Sequence, residues 1–156
     1  MSVSNPFGGR LARPSFGKKG LATNVSYTHV NGFAVAWTGP KYSRGEGGNP
    51  AAIVLPDIDA KLTDEERFKA ASTIGFSATC FVTDIKITEE EALVRLRFIT
   101  PTKELDISGH GSIAALGLLV EEGLLEGKTE GTIVTKAGNL SFRVENGEPA
   151  EVRADS

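Results

Sequence analysis

At 156 residues the chain has the size of one domain, and its apolar (40%) and charged (24%) fractions are those of an ordinary globular protein. A formal net charge of -3 gives no general pull toward nucleic acid or anionic membrane, and the longest apolar run, Ile113 to Val120, is far too short to span a bilayer. The single cysteine, Cys80, excludes an internal disulfide framework and a cysteine-rich zinc site, so a reducing, cytoplasmic compartment is the simplest expectation.

Residues 1–24 read as a flexible extension, rich in Gly, Pro and Ser and without an apolar period. Arg10, Arg13, Lys18 and Lys19 precede any acidic residue, which also fits an organellar transit peptide; the plain arm is the reading taken. The rest, 25–156, reads as one folded unit.

Tyr27 to Trp37 reads as a strand with Gly32 as a bulge, and Thr38 to Gly48 as loop. Ala51 to Leu55 is a short apolar run stopped by Pro56, which fits a buried strand. Thr63 and Glu66 have the spacing of a capping box, Phe68, Ala71 and Ser72 share a face, and Gly75 provides the exit of a helix. Thr79 to Ile85 reads as a strand. Glu91 to Ile99 alternates, with Ala92, Val94, Leu96 and Phe98 on one face and Leu93, Arg95, Arg97 and Ile99 on the other. Ser112 to Leu125 reads as a helix apolar nearly all round, which must be surrounded by protein. Ile133 to Lys136 and Asn139 to Glu145 form a hairpin around Ala137 and Gly138.

Three segments resemble blocks of a known family in the right order. Gly48-Asn49-Pro50-Ala51-Ala52-Ile53-Val54-Leu55 is similar to its GNPAAVVL block, and Gly75-Phe76-Ser77-Ala78-Thr79-Cys80-Phe81-Val82 to its xxSETxFV segment. Phe98 to Ser112, with Thr100-Pro101, Glu104 and Gly109-His110-Gly111, resembles its FTPxxEVxLCGHAT run. The chain is thereby identified as similar to the amino-terminal half of PhzF-like proteins, the phenazine-biosynthesis branch of the diaminopimelate-epimerase fold, over residues 27 to about 145.

The resemblance implies an α+β half-domain in which a mixed sheet curls into a barrel around one buried central helix. It also implies an isomerase or epimerase site between two such halves, with no metal and no cofactor. In active members the position of Ala78 carries a glutamate that moves a proton between two carbons, which a methyl group cannot do. Racemases of the wider fold place a catalytic cysteine where this chain has Ser108, and an unperturbed hydroxyl is a far poorer proton acceptor than a thiolate. Cys80 reads as a packed strand residue. The family's second half does not follow within this sequence, which reads as a natural half, a piece of a longer protein or one partner of a two-chain assembly; a homodimer, or pairing with a second half-domain, is the expected way to cover the cleft.

Gly109, Gly111 and Ser112 lead into the apolar helix, where backbone N–H groups and the helix dipole favour a small anionic metabolite such as a carboxylate. Asn49 is a further substrate-contact candidate, with a turn residue as the alternative. Ser77 and Ala78 are expected to line the same site. His110 is the foremost catalytic candidate: at a helix N-terminus a neutral imidazole is favoured near pH 7, able to donate or accept a hydrogen bond. Glu104 is a second catalytic candidate, and Asp106 a ligand contact whose alternative is simple capping electrostatics. His29 reads as structural, and Lys103 and Lys136 as solvated. Three functions stay open: proton-shuffling isomerase, metabolite binder without base catalysis, and interaction module recruiting a second half-domain. No nucleic-acid or membrane partner is expected.

Overall fold

The computed structural model describes residues 18–31 and 50–154. Strands β1 (Lys18–Ala22) and β2 (Val25–Asn31) form an antiparallel hairpin through Thr23 and Asn24, whose φ angles are 48° and 72°. Two left-handed residues in succession give a turn whose twist matches that of its strands. The expectation of irregular chain up to residue 24 is thus corrected from Lys18 onward. The register also explains Gly20: its cross-strand partner is Tyr27, and a Cβ at Gly20 would lie 2.3 Å from that ring. Trp37, Gly32 and the loop to Gly48 lie outside the described residues.

Strand β3 (Pro50–Val54) pairs antiparallel with β2 and parallel with β4 (Ala78–Ile87). Pro56 does more than stop β3, because it opens a one-turn helix, α1 (Pro56–Asp59), where its missing N–H costs nothing. Helix α2 (Asp64–Ile74) has the anticipated capping box, with both the Thr63 and Glu66 bonds made, and Gly75 closes it at φ 77°. Its buried positions are Ala70 and Ala71; Phe68 and Ser72, expected on the same face as Ala71, are exposed.

Strand β5 (Ala92–Ile99) carries the alternation read from the sequence, with Ala92, Val94, Leu96 and Phe98 all buried. A two-residue strand, β6 (Glu104–Leu105), pairs back onto it. Helix α3 (Gly109–Glu121) then runs with every residue from Gly111 to Leu119 buried. Gly123 ends it at φ 73°, with the Gly123 and Leu124 N–H groups bonding the carbonyls of Val120 and Leu119. Strands β7 (Glu130–Thr135) and β8 (Gly138–Glu145) form the expected hairpin, and β9 (Glu148–Ala154) follows through Asn146-Gly147.

Hydrogen-bonded pairing runs β1-β2-β3-β4-β5-β7-β8-β9, with β6 added on β5. No ladder joins β9 to β1 among the described residues. The α+β class with a mixed sheet holds, but the barrel around a central helix is corrected. Closure demands a hydrogen-bonding partner for each edge strand, and among the described residues both edges stay open, so these strands enclose no barrel core. Helix α3 instead packs against one face of the open sheet, touching β2, β3, β4 and β9.

That face contributes Val30, Ala51, Ile53, Cys80, Val82, Leu96 and Phe98 to a cluster with Ile113, Leu116, Leu118 and Leu119 of α3. Burying each large aliphatic chain there is worth about 1.5–3 kcal/mol, which holds α3 in place despite its lack of a polar face. The opposite face packs Val25, Val54, Phe81 and Ile99 against Ala70 and Ala71 of α2.

Candidate functional site

The first turn of α3 is built by two serines. Ser108 is its N-cap: its hydroxyl accepts the Gly111 N–H at 3.1 Å. The Ser108 carbonyl accepts both the Ser112 hydroxyl, at 2.8 Å, and the Ser112 N–H, at 3.0 Å. The helix therefore starts three residues before the expected Ser112, and Gly109, His110 and Gly111 are its first residues rather than a loop ahead of it. Gly111 rests on Phe98; a Cβ there would lie 3.2 Å from the ring and 3.0 Å from the Ser108 hydroxyl. Gly111 and Ser112 thus spend their polar groups on the helix start. Gly109 and His110 are half-buried, with His110 Nε2 shielded from solvent.

Ala78 opens β4, is 1% exposed, and pairs with Ala51. It shares the α3-facing side of the sheet with Cys80, two residues on. Cys80 is in turn the cross-strand partner of Phe98, on which Gly111 rests. By this chain of registers, the Ala78 end of β4 and the first turn of α3 lie at the same end of the sheet. Ser77 is exposed in the short link from α2. Phe76, in the same link, packs against His29 with ring centroids 4.8 Å apart. Asn49 lies outside the described residues.

Glu104 has a different environment. Arg97 grips it with two bonds, Nε to Oε2 at 2.9 Å and Nη2 to Oε1 at 2.8 Å, and Lys136 Nζ stands 3.2 Å from Oε1. The Arg97 bonds, with Lys136 behind them, hold its carboxyl below the usual glutamate range. A carboxylate so held is a counter-ion, ill suited to accept a proton near neutrality. Arg97 also donates to Asp64 at 2.8 Å, and Asp64 accepts from Arg67 at 2.7 Å. Arg67 in turn forks onto buried Asp59 at 2.8 and 3.1 Å. A continuous charged chain therefore runs Asp59–Arg67–Asp64–Arg97–Glu104–Lys136. Lys136, exposed as expected, closes it.

Asp106 is exposed, and its backbone carbonyl accepts the Ala137 N–H at 3.3 Å. Cys80 is fully buried, and burial raises its thiol well above the ordinary range, as befits a packed strand residue. Among the described residues no group of three or more His, Cys, Asp or Glu is arranged to hold a metal, and no helix is long and apolar enough to cross a membrane. Sequence reading missed Arg97 and Lys136 as partners of Glu104, and Asp64 as the second partner of Arg97. The one available signal was the alternation of β5, which puts Arg97 on the face opposite Phe98.

The half-buried imidazole of His110 thus lies on a serine-capped, glycine-rich helix start at the end of a mixed α+β sheet. The model of the phenazine biosynthesis-like proteins (PhzC-PhzF) matches residues 43–154, and the chain belongs to that family. It is 37% identical over 97 residues to the "Uncharacterized isomerase YfhB" of Bacillus subtilis, covering 62% of this chain and 31% of that protein. It is 34% identical over 98 residues to an "Uncharacterized isomerase" of Deinococcus radiodurans, covering 62% and 29%. The chain thus spans about a third of the length of the curated relatives it matches. Among solved structures, the Bacillus anthracis phenazine biosynthesis protein of the PhzF family aligns with a TM-score of 0.58 at 37% identity, over 79% of this chain and 38% of that one.

Proposed function

We propose that this chain is one lobe of a PhzF-like isomerase-family protein and holds a small carboxylate-bearing metabolite at the first turn of α3, beside Ala78. The observation that carries this reading is the shared location of Ala78 and the Ser108-capped turn at one end of the sheet. In this reading His110 presents its imidazole to the ligand, and the Gly109 and His110 region offers the positive end of the helix dipole. Ser77 adds a contact from the neighbouring segment; Asn49 remains a candidate from the sequence alone. Glu104 serves the loop rather than the proton, and Asp106 remains a peripheral contact.

With alanine where the family resemblance places a glutamate, the usual proton shuttle is lost or reassigned. Binding is therefore the minimal activity. The reading needs no cofactor. Ile107, just ahead of the helix, is 40% exposed, which fits a surface covered by a companion lobe, in a homodimer or a second half-domain. A cytoplasmic setting agrees with a lone buried thiol.

Titration with benzoate, followed by amide NMR, tests the site, with uncharged benzamide as control. Benzoate is expected to shift the Gly109 to Gly111 signals, benzamide is not, and His110→Ala should weaken benzoate binding about tenfold, the loss of one hydrogen bond to a charged group. Equal responses to both probes, or none at these amides, would overturn the reading.

A further inference from the structure

Between β5 and α3 the chain makes only a short excursion, yet it is fastened from three directions. Thr100 N–H and hydroxyl both bond the Lys103 carbonyl, at 2.8 and 2.9 Å, closing the turn. Glu104 and Leu105 pair with Ile99 and Phe98. The β7–β8 turn then holds the segment from its other side, through Lys136 to Glu104 and through Ala137 N–H to the Asp106 carbonyl. Three residues beyond Leu105 stands Ser108, whose hydroxyl and carbonyl set the first turn of α3.

Two pairings hold β6 to β5, too few to fix a strand alone. The ion pairs supply the rest. Arg97 presents a planar fork to Glu104, which fixes direction as well as distance, while its remaining nitrogen is tethered to Asp64 at the start of α2. The Arg97 and Glu104 side chains are 22% and 13% exposed, so water weakens this pair less than it does a surface pair.

From this arrangement we propose that Arg97 and Glu104 are positioning residues: their forked ion pair, braced by Asp64 and Lys136, fixes the 104–108 segment and so the placement of the Ser108 cap and of His110. The pair touches no ligand. It acts through the backbone that joins it to the helix start. The proposal takes its functional meaning from the ligand site described above, but its structural half stands separately.

Glu104→Gln keeps the shape and removes the charge that holds the fork. Hydrogen exchange resolved by residue, with the benzoate titration alongside, reads both halves. Amide exchange over Ile107 to Gly111 is expected to speed up about tenfold, with β7 to β9 unchanged and benzoate affinity reduced several-fold. Arg97→Lys, which retains charge but loses the fork, should fall between. Arg143→Gln, which breaks an exposed pair with Glu145 and Glu151 elsewhere on the sheet, should alter neither readout. Unchanged exchange at 107–111 in Glu104→Gln would overturn the latch, and so would a uniform rise across the sheet, which marks a general stability loss. Faster local exchange without benzoate binding in any variant, wild type included, would uphold the latch and overturn the ligand site alone.

Discussion

Three residues separate Glu104 from Ser108, yet the two ends of this segment are built on opposite terms. At Glu104 the polar groups are charged, forked and reciprocally paired, and the chain of partners continues to buried Asp59. At Ser108 they are neutral, and the bonds are short-range ones that shape a helix start lined by glycines. The contrast is between an ion-paired anchor and a helix cap. A carboxylate satisfied by Arg97 and Lys136 has little left to offer a ligand, whereas the capped helix terminus is where the proposed ligand would sit. Similarity to a motif does not make that distinction: Glu104 and His110 lie in the same family-like run, and only the structure shows that Glu104 is held by Arg97 and Lys136.

The comparison can be broken at its strongest pair first. Arg67→Met would strand the Asp59 carboxylate, whose side chain is 3% exposed, without its cation. A loss of about 3 kcal/mol in unfolding free energy is expected, read by urea denaturation; a loss below about 1 kcal/mol would show that Asp59 finds water or protonates cheaply. At the other end, Ser108→Ala removes one neutral cap and should cost about 1 kcal/mol by the same measurement. It should also shift the amide signals of Gly111 more than those of any strand.

The smallest effect sharpens the charge difference. The carboxyl of Glu104 is lowered from its ordinary value of 4.5, first by the hydrogen bonds from Arg97. A depressed folded value means that its contribution is complete above about 4.5 and disappears as pH falls through the lower folded value. Urea midpoints between pH 7 and pH 3 should therefore fall less steeply in Glu104→Gln than in the wild type, with the curves converging in acid. Parallel curves would mean that the pair contributes nothing to acid sensitivity. Asp64 is lowered in the same direction, but it is largely exposed and screened.

Much of the local structure was legible in the residues. The α2 capping box, the alternation of β5, the hairpin of β7 and β8, and the burial of α3 all depend on patterns within a few positions. Other local signals were present but unread: Thr23-Asn24 and Asn146-Gly147 both mark two-residue turns with positive φ, and they begin or end strands that no periodicity announced. Ser108 likewise has the chemistry of an N-cap, and starting the helix from the apolar run at Ser112 placed its beginning three residues late.

What the sequence determined by itself was family membership, the apolar character of α3 and the identity of the groups at its tip, because these are properties of neighbouring residues. Only the tertiary structure decided that the sheet remains open, since edge pairing is a matter of whether distant strands meet. It alone decided that Glu104 is a fastening, because Asp64, Arg97 and Lys136 come together from α2, β5 and the β7–β8 turn. Charge in a sequence is a quantity; its role depends on what stands within three ångströms of it, and that is fixed by the fold.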